Sequence, residues 1–396
     1  MREVVITGVG MTSFGNWIDQ PLRTLAHRAS SAALADAGIS DRDVGTVFHS
    51  NCFAGSLQGQ ESIRGQVTLQ GLDLRGAPII NVENACASGA TAFNLAWQAV
   101  AAGHVEVALA VGVEKMYHEE KARTFAALRT ATDVERTEEI ALEVGHEGNH
   151  SIFMDIYAQM AERHQASSGA TEVDYATVVA KNRAHGAVNP CAQFRTRMTV
   201  DEVLSSRRIT GPLTLPMCAP IGDGAAALVL TTRDKSARIG GECPGVRVLA
   251  STLGSGSVGR HGTVPPVARQ AYEVAGIGPE DLDVIELHDA TAPAELMLYE
   301  ELALCPEGHG PKLLASGATT LGGRLPVNPS GGLLSRGHPV GATGCAQLVE
   351  LTYQLRGTAG DRQVPGARIG LAENSGGYLH PDVAVAAVNI LASEAA

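Results

Sequence analysis

One structural unit occurs twice in this sequence, 238 residues apart, and it constrains the fold more than any other feature. AGISDRDVGTVFHSN begins at Ala37 and AGIGPEDLDVIELHD begins at Ala275. Each copy reads as a helix end, a turn and a buried strand, and Gly38 and Gly276 stand where a helix ends in a left-handed cap. A matched order of elements at a fixed interval is typical of internal duplication. We therefore predict two halves with the same arrangement.

Short apolar runs alternate with helical stretches along both halves. The runs are nearly continuous rather than alternating with polar residues, which is typical of strands covered on both faces in α/β folds. The predicted strands cover residues 4–9, 44–49, 79–84, 105–111, 226–232, 246–250, 284–288, 369–372 and 383–388.

Two similar segments close the two halves. DGAAALVL at 223–230 ends the first, and DVAVAAV at 382–388 ends the second. We place the N-terminal half at 1–235 and the C-terminal half at 236–396. The first half is longer because of an insertion at about 116–209, which is richer in charge and His. We expect this insertion to cover one end of the first half, as active-site covers often do.

The composition is that of a globular protein, with 44% hydrophobic and 18% charged residues. The net charge is −12, and no basic run interrupts it. This pattern gives no reason to expect binding to nucleic acid or to a membrane surface. The chain also contains no apolar run of spanning length.

The cysteines are odd in number and widely spaced, and none forms a CxxC pair. Neither a disulfide framework nor a zinc knuckle is therefore indicated, and free thiols fit a reducing compartment. The chain opens on the strand-like REVVITGVG and closes on SEAA, so we expect no signal segment, no peroxisomal address and a cytoplasmic protein. The seven cysteines are Cys52, Cys86, Cys191, Cys218, Cys243, Cys305 and Cys345.

One of these cysteines lies at a predicted strand-to-helix turn. NACASGA places Cys86 after the apolar run at 79–82 and before the helical TAFNLAWQAVAAG. Unpaired N–H groups and the helix dipole favour a thiolate there, and small neighbours leave room for a substrate. The alternative is a structural cysteine, because free cysteines are commonly buried and inert.

Two histidines accompany it. VNPSGG at 327–332 leads into GHPVGATG, a Gly-rich loop whose His338 could deprotonate a thiol. The loop could instead hold a phosphate, although it lacks the Lys and the spacing of a P-loop. His288 follows the run at 284–287, and is either a catalyst or a satisfied polar residue. A metal site built from His288, Asp289 and His338 is a further alternative, without the close ligand spacing of zinc sites.

Taken together, these segments resemble the thiolase superfamily in its sterol-carrier-protein-type branch. The resemblance rests on NACASGA, on KNRAHGAVNPCAQFR from Lys181, on HDA at His288 and on VNPSGGLLSRGHPVGATG from Val327. With GDGAAALVL and ENSGG it extends over nearly the whole chain. It implies the thiolase fold, with two duplicated α/β halves in a five-layer α-β-α-β-α arrangement and an inserted loop domain. Members are usually dimers or tetramers, and they act on coenzyme A thioesters without a metal or redox cofactor.

The resemblance also implies roles for individual residues. Cys86 would carry the acyl group, and His338 would activate it and help to bind the thioester oxygen of the second substrate. His288 takes the place of an Asn in many thiolases and would belong to the first oxyanion site. The backbone N–H groups of Cys86 and Gly376 would form the second, where negative charge develops. The predicted oxyanion and substrate-binding residues are thus Gly376, Asn374 and Asn328.

The second cysteine that moves the α-proton in thiolases is missing. In many members it begins a Cys-x-Gly, where this chain reads Asn-Ser-Gly at 374–376. In the sterol-carrier-protein branch it can follow His-Asp, where this chain has Ala290. Cys345 lies nearby in the sequence, but we expect its helix to point it elsewhere. We hypothesise that His288 or His338 takes over proton transfer, because a neutral imidazole is a competent acid and base near pH 7.

The predicted function is an acyl-CoA C-acyltransferase that cleaves or forms a β-ketoacyl-CoA through acyl-Cys86, with a place in lipid metabolism. The missing thiol leaves three alternatives open: a retro-aldol C–C lyase on a β-hydroxyacyl-CoA, a ketosynthase that uses an acyl carrier protein, and a thiolase-like subunit that needs an OB-fold, zinc-ribbon partner. Two residue sets in the insertion complete the expectations: Arg183, Arg195 and Arg197 as candidate ligands for CoA phosphates, and Phe153 and Tyr157 as core rather than pocket residues.

Overall fold

The structure, a computed structural model, describes residues 2–148, 150–239 and 244–394, so the expected free thiol of Cys243 lies outside the described residues. Its strands are β1 (Val4–Met11), β2 (Thr46–Ser50), β3 (Ile79–Val82), β4 (Val107–Lys115), β5 (Arg208–Thr210), β6 (Leu213–Thr214), β7 (Asp223–Thr232), β8 (Val246–Ser255), β9 (Val284–Glu286), β10 (Ile369–Gly376) and β11 (Val385–Ser393).

The helices follow in the same numbering. They are α1 (Leu22–Ala37), α2 (Ala54–Gln58), α3 (Arg64–Thr68), α4 (Ser88–Ala101), α5 (Lys121–Arg129), α6 (Thr137–Val144), α7 (Ile152–Ser168), α8 (Glu172–Ala187), α9 (Val200–Leu204), α10 (Arg233–Ile239), α11 (Val264–Ala275), α12 (Ala292–Glu301), α13 (Gly310–Ala315), α14 (Gly332–Arg336) and α15 (Val340–Arg356).

The main sheet repeats one strand order outward from its centre. Its order is β3-β2-β4-β7-β1-β8-β11-β10-β9, with β1 and β8 as the central antiparallel pair. From β1 the next strands are β7, β4 and β2; from β8 they are β11, β10 and β9. In both directions the first two pairings are antiparallel and the third is parallel. Gly38 and Gly276 cap α1 and α11 at φ 63° and 69°. The predicted duplication is confirmed.

Three helix layers enclose the two half-sheets. Residues of β4 and β7 alternate between two cores, one shared with α1 and one shared with α4 and α15. A third core joins α11 and α12 to the opposite face of the second half-sheet. Because every strand residue of β7 is buried, both sheet faces contribute to the hydrophobic stabilisation. This is the α-β-α-β-α arrangement that the resemblance implies.

All nine predicted strands are present, with shifted ends. β3 stops two residues early because the chain turns at Asn84 toward Cys86. β10 runs four residues longer than predicted, because its polar residues 373–376 still pair with β11. The β5–β6 hairpin was not predicted, since strands of three and two residues carry no periodic signal. The predicted boundary at 235/236 falls within α10 and stays a prediction.

The insertion consists of helices, as expected, but it spans both halves. α5 contacts α2 of the first half, whereas α7 and α8 pack on α12 and α8 also packs on α14. Lys181 and Asn182 of α8 both bond the buried carboxylate of Glu295 on α12. The insertion is expected to cover one end of the first half, and it contacts the second half as well, because partners more than 100 residues away fix its long helices.

Within the described part of the chain, no helix is both long and apolar enough to cross a membrane.

Candidate active site

Cys86 lies on a tight turn between β3 and α4. The preceding Ala85 has φ 48°, a left-handed conformation that a non-glycine residue adopts only when the surroundings hold it. Ser88 provides this support: its hydroxyl accepts the Asn84 N–H at 2.8 Å and donates to the Ala85 carbonyl at 2.6 Å. The turn leaves Cys86 partly exposed, facing a pocket.

His338 faces this sulfur from the second half of the chain. Its Nε2 lies 3.3 Å from Cys86 Sγ, and its Nδ1 lies 2.8 Å from Thr343 Oγ1. The Thr343 hydroxyl donates its single hydrogen to the Pro339 carbonyl at 3.0 Å. We therefore assign the tautomer in which Thr343 accepts from Nδ1–H and Nε2 is the unprotonated nitrogen beside the thiol. This is the geometry of a nucleophile with its general base.

Both members of this pair are neutral in the free site. Burial raises the pKa of Cys86 to about 12, although the backbone N–H groups of Gly377 and of Cys86 itself act in the opposite direction. Burial, assisted by His288 and Arg336, holds the pKa of His338 well below its ordinary value. Burial thus opposes the thiolate that the helix start favours, and it outweighs the amides there. Proton transfer to His338 has to accompany the attack on a substrate.

His288 completes a group of three. Its ring lies 5.1 Å from the His338 ring, centroid to centroid. A ring nitrogen of each histidine and the Cys86 sulfur all lie within 4.8 Å of one another. His288 is 3% exposed, burial lowers its pKa to about 3, and Nε2 has no hydrogen-bond partner among the described residues. A neutral ring with an unpartnered nitrogen thus lies beside the thiol and the second imidazole.

Buried polar groups fix the backbone around His288. Asn328 Oδ1 accepts the Leu287 N–H at 2.7 Å, and Glu373 accepts the His288 N–H at 3.1 Å. The other end of the Asn328 side chain donates to Glu295, and the residue is fully buried. The prediction that Asn328 binds substrate is therefore wrong. Both ends of its amide are used in the protein interior, and its role is to hold the histidine segment.

The amide that reaches the sulfur belongs to Gly377, one residue beyond the predicted Gly376. Gly376 lies against the Cys86 turn, where a Cβ would come within 2.4 Å of the Asn84 carbonyl oxygen. Asn374 is 1% exposed, and its Oδ1 lies where a Cβ on Gly344 would be, outside the pocket wall. Its strand position directs it toward α15, and the role of Asn374 in substrate binding stays a prediction.

Among the described residues, two clusters have the donor set of a metal site. Cys86, His288 and His338 form the first, and it does not include the predicted Asp289. Asp289 Oδ1 accepts the Leu333 N–H at 2.7 Å and so supports the start of α14. The second cluster is His146, His150 and Asp155, in which each imidazole already bonds the carboxylate, at 2.6 and 2.8 Å.

A pocket of about 800 Å³ surrounds the three reactive side chains. Ala290 lines it, so the position that can hold the second cysteine in this branch presents a methyl group. Cys345 is fully buried in the core, 3.4 Å from the Gly89 carbonyl oxygen, and points away as expected. Phe153 and Tyr157 pack against core clusters and also line the pocket, so the expectation that they are core rather than pocket residues is only half correct. They are on the pocket-facing side of α7, and this orientation is set by tertiary packing.

The charges on the pocket wall are all of one sign. Lys121, Arg183, Arg207 and Arg208 line it, and no Asp or Glu does so within the described ranges, although the chain carries a net charge of −12. Of the three predicted arginines only Arg183 lies on this wall. Such a concentration of cations in an acidic protein attracts an anionic substrate.

Comparison with known proteins places the chain in a family. The model described as Thiolase, N-terminal domain, matches residues 4–234, and the model described as Thiolase C-terminal domain-like matches 261–389. The chain is 37% identical to an acetyl-CoA acetyltransferase of Methanothermobacter thermautotrophicus over 385 residues, which covers 95% of this chain and 97% of that protein. It is 38% identical to human sterol carrier protein 2 over 394 residues, which covers 95% of this chain and 70% of the relative.

A solved structure shares the same fold. A chain of the Ltp2-ChsH2(DUF35) aldolase superposes with a TM-score of 0.82 at 24% identity, over 99% of this chain and 98% of that chain. The matched domains span both halves and the reactive Cys86–His338 pair. The protein therefore belongs to the thiolase family of acyltransferases, in its sterol-carrier-protein-type branch.

Proposed function

We propose that this protein transfers an acyl group between CoA and a carbon atom, cleaving or forming a β-ketoacyl-CoA through a thioester on Cys86. The observation that carries the proposal is the 3.3 Å contact between Cys86 Sγ and His338 Nε2 inside a pocket lined by cations. A thioester substrate of CoA brings phosphates for those cations and an electrophilic carbonyl for the sulfur. Arg207 and Lys121 are exposed at the pocket and are suited to the phosphates.

Acylation uses the first-half turn and the second-half loop together. The Cys86 sulfur attacks the thioester carbonyl, and its proton passes to His338 Nε2. We assign stabilisation of the oxyanion to the N–H groups of Cys86 and Gly377, which lie close enough to the sulfur to act on the pKa of its thiol. The carbonyl–sulfur bond to CoA breaks, and His338 returns the proton to the leaving thiolate. The neutral thiol of Cys86 and the neutral imidazole of His338 suit this step, because no ion pair has to be desolvated before the attack.

Carbon–carbon bond formation needs a base that is not a thiol. We assign this role to His288, whose ring shares the site and whose Nε2 has no protein partner among the described residues. His288 takes the α-proton of the second acyl-CoA, and the resulting enolate attacks the carbonyl of acyl-Cys86. The carbonyl–sulfur bond to Cys86 breaks, and the departing thiolate recovers a proton from the His288 imidazolium. Charges and protons balance over the cycle.

A thiolysis assay tests the proposal. A 3-oxoacyl-CoA is mixed with free CoA, and the release of acetyl-CoA is followed by chromatography. We expect turnover by the wild type and none by Cys86→Ala. His288→Ala should slow exchange of the α-proton with solvent far more than acylation of Cys86. An equal loss of both steps, or of neither, would remove His288 from the proposed role.

A lyase is the second candidate, because the position that can carry the proton-moving thiol holds Ala290. Retro-aldol cleavage of a 3-hydroxyacyl-CoA would release an aldehyde or ketone and would not require an acyl-enzyme. Aldehyde release without free CoA, retained in Cys86→Ala, would favour the lyase over the acyltransferase.

The assembly and setting are part of the same proposal: a cytoplasmic homodimer or tetramer in lipid metabolism, which an OB-fold, zinc-ribbon partner protein could join. Gel filtration with light scattering tests the oligomer. A gain of activity on adding a co-purified small subunit would support the partner, and full activity of the lone chain would argue against it.

A further inference from the structure

Arg183 is a buried cation with no hydrogen-bond or ion-pair partner among the described residues. It lies on α8, is 8% exposed, and lines the active-site pocket. Its Nε has no hydrogen-bond partner, and the described part of the protein offers it no ion pair. Burial alone, with no acidic neighbour acting against it, lowers its pKa to about 10. A guanidinium held in this way costs stability unless a ligand compensates for the lost hydration.

Neighbouring polar residues on the same helix behave differently. Lys181 donates to Glu295 and to the Val327 carbonyl, and Asn182 donates to Asp289 and Glu295. These contacts attach α8 to the second half of the protein. Arg183 takes no part in them, so its charge is not needed to hold the helix in place.

The position of Arg183 differs from that of the other pocket cations. Lys121, Arg207 and Arg208 are exposed, as expected for groups at the mouth that meet phosphates. Arg183 is buried and stacks on Phe194, with Cζ 4.1 Å from the ring centroid. Phe194 pairs through its backbone with Ser335, three residues before the catalytic His338. The guanidinium therefore lies in the interior, on the wall that carries the base.

We propose that Arg183 binds a carboxylate on the acyl chain of the substrate, so that the enzyme prefers CoA thioesters of dicarboxylic acids to neutral chains of equal length. The inference rests on the proposed acyl transfer and specifies its substrate class. A planar guanidinium fits a carboxylate through two parallel N–H···O bonds, and the ring of Phe194 fixes its plane. A phosphate of CoA has similar anionic oxygens, and the experiment separates the two sources.

Binding to the Cys86→Ala protein measures this preference without turnover. Isothermal calorimetry compares three pairs of equal chain length: glutaryl- with pentanoyl-CoA, adipyl- with hexanoyl-CoA, and suberyl- with octanoyl-CoA. We expect the carboxylated member of at least one pair to bind roughly 10- to 100-fold more tightly, as for a charged hydrogen-bonded pair. Adding Arg183→Met should abolish that preference and leave the affinity for neutral esters unchanged. Arg183→Lys should restore part of it.

Two controls separate the alternatives. Arg207→Met, at an exposed pocket cation, should weaken both members of each pair alike. Arg183→Met keeps the apolar stem on Phe194, and its melting temperature should equal or exceed that of the parent, because an uncompensated buried charge is removed. Binding of the neutral ester that is as tight or tighter in all three pairs would overturn the proposal. So would an equal loss for both members in Arg183→Met, which would assign the residue to CoA phosphates. Failure of acyl transfer with an intact charge preference would instead overturn the proposed function alone.

Discussion

Replacing Thr343 by Val tests how His338 is kept ready to accept the thiol proton. The Thr343 hydroxyl lies 2.8 Å from His338 Nδ1 and donates to the Pro339 carbonyl, so it acts as the acceptor for Nδ1–H. Valine has nearly the same shape but no acceptor. A buried N–H that loses its partner costs about 1–3 kcal/mol. The ring then shifts toward the tautomer with hydrogen on Nε2, which cannot take the proton of Cys86.

The expected result is a slower acylation step. An energy of about 1–3 kcal/mol corresponds to a decrease of about 5- to 150-fold in the rate of acyl-Cys86 formation. Rapid-quench mass spectrometry with a saturating acyl-CoA measures this rate directly. Thr343→Ser keeps the hydroxyl and should acylate at nearly the wild-type rate.

Thr352 provides the matched control on the same helix. It is fully buried, and its hydroxyl donates to the Leu348 carbonyl at 2.7 Å, as Thr343 does to Pro339 four residues earlier. Thr352→Val should therefore lower the free energy of unfolding by a similar amount and leave acylation unchanged. Normal acylation by Thr343→Val, with a stability loss equal to that of the control, would refute the assigned tautomer.

Three further predictions concern pH, metal binding and packing. Because the pKa of His288 is about 3 in the folded protein and about 6.5 in an unfolded chain, the unfolded state binds the proton first as the pH falls, and stability is lost from about pH 6.5 down to 3. Between pH 7 and 5 this group alone should lower the free energy of unfolding by about 2 kcal/mol. Urea unfolding of His288→Asn should therefore show a free energy that depends less on pH than that of the wild type. An unchanged pH dependence would contradict the low pKa assigned to His288. Zn²⁺ at micromolar concentration should inhibit acyl transfer by binding Cys86, His288 and His338, and EDTA should reverse the inhibition. The inhibition should be weaker in His288→Asn than in the wild type. Equal inhibition of the two proteins would place the ion elsewhere. Gly376→Ala should reduce the rate of acylation by about 100-fold or more, because its Cβ would lie 2.4 Å from the carbonyl oxygen of Asn84 in the Cys86 turn. The control Gly370→Ala, on the same strand, would contact only the Leu351 and Val284 side chains at 3.2 Å and should acylate at a nearly normal rate. Equal rates in the two variants would show that the turn tolerates the displacement.

The fold could be predicted from the sequence because its signals are local and repeated. The buried strands are apolar on both faces, and the two helix ends at Gly38 and Gly276 need a left-handed residue. Strand-to-helix context also placed Cys86 at a turn, and the Gly-rich loop placed His338 before a helix. What the sequence could not provide is the 3.3 Å contact between them, which depends on two segments 252 residues apart.

The errors at the site have a common physical origin. Asn328 and Asn374 lie next to active-site residues in the sequence, but tertiary packing decides whether their side chains face the pocket or the protein interior. The amides that favour a Cys86 thiolate are visible in the sequence, whereas the burial that opposes it is not. Arg183 could be noticed as a cation in the insertion, but its lack of a partner is a property of the whole structure.

The most direct test of the account is to trap the acyl-enzyme. The protein is incubated with a 3-oxoacyl-CoA in the absence of free CoA, quenched in acid, digested and analysed by mass spectrometry. We predict that the peptide containing Cys86 gains the mass of the acyl group, that hydroxylamine removes it, and that His338→Ala prevents its formation. Cleavage of the substrate without any acyl mass on that peptide, or cleavage that persists in Cys86→Ala, would contradict the account.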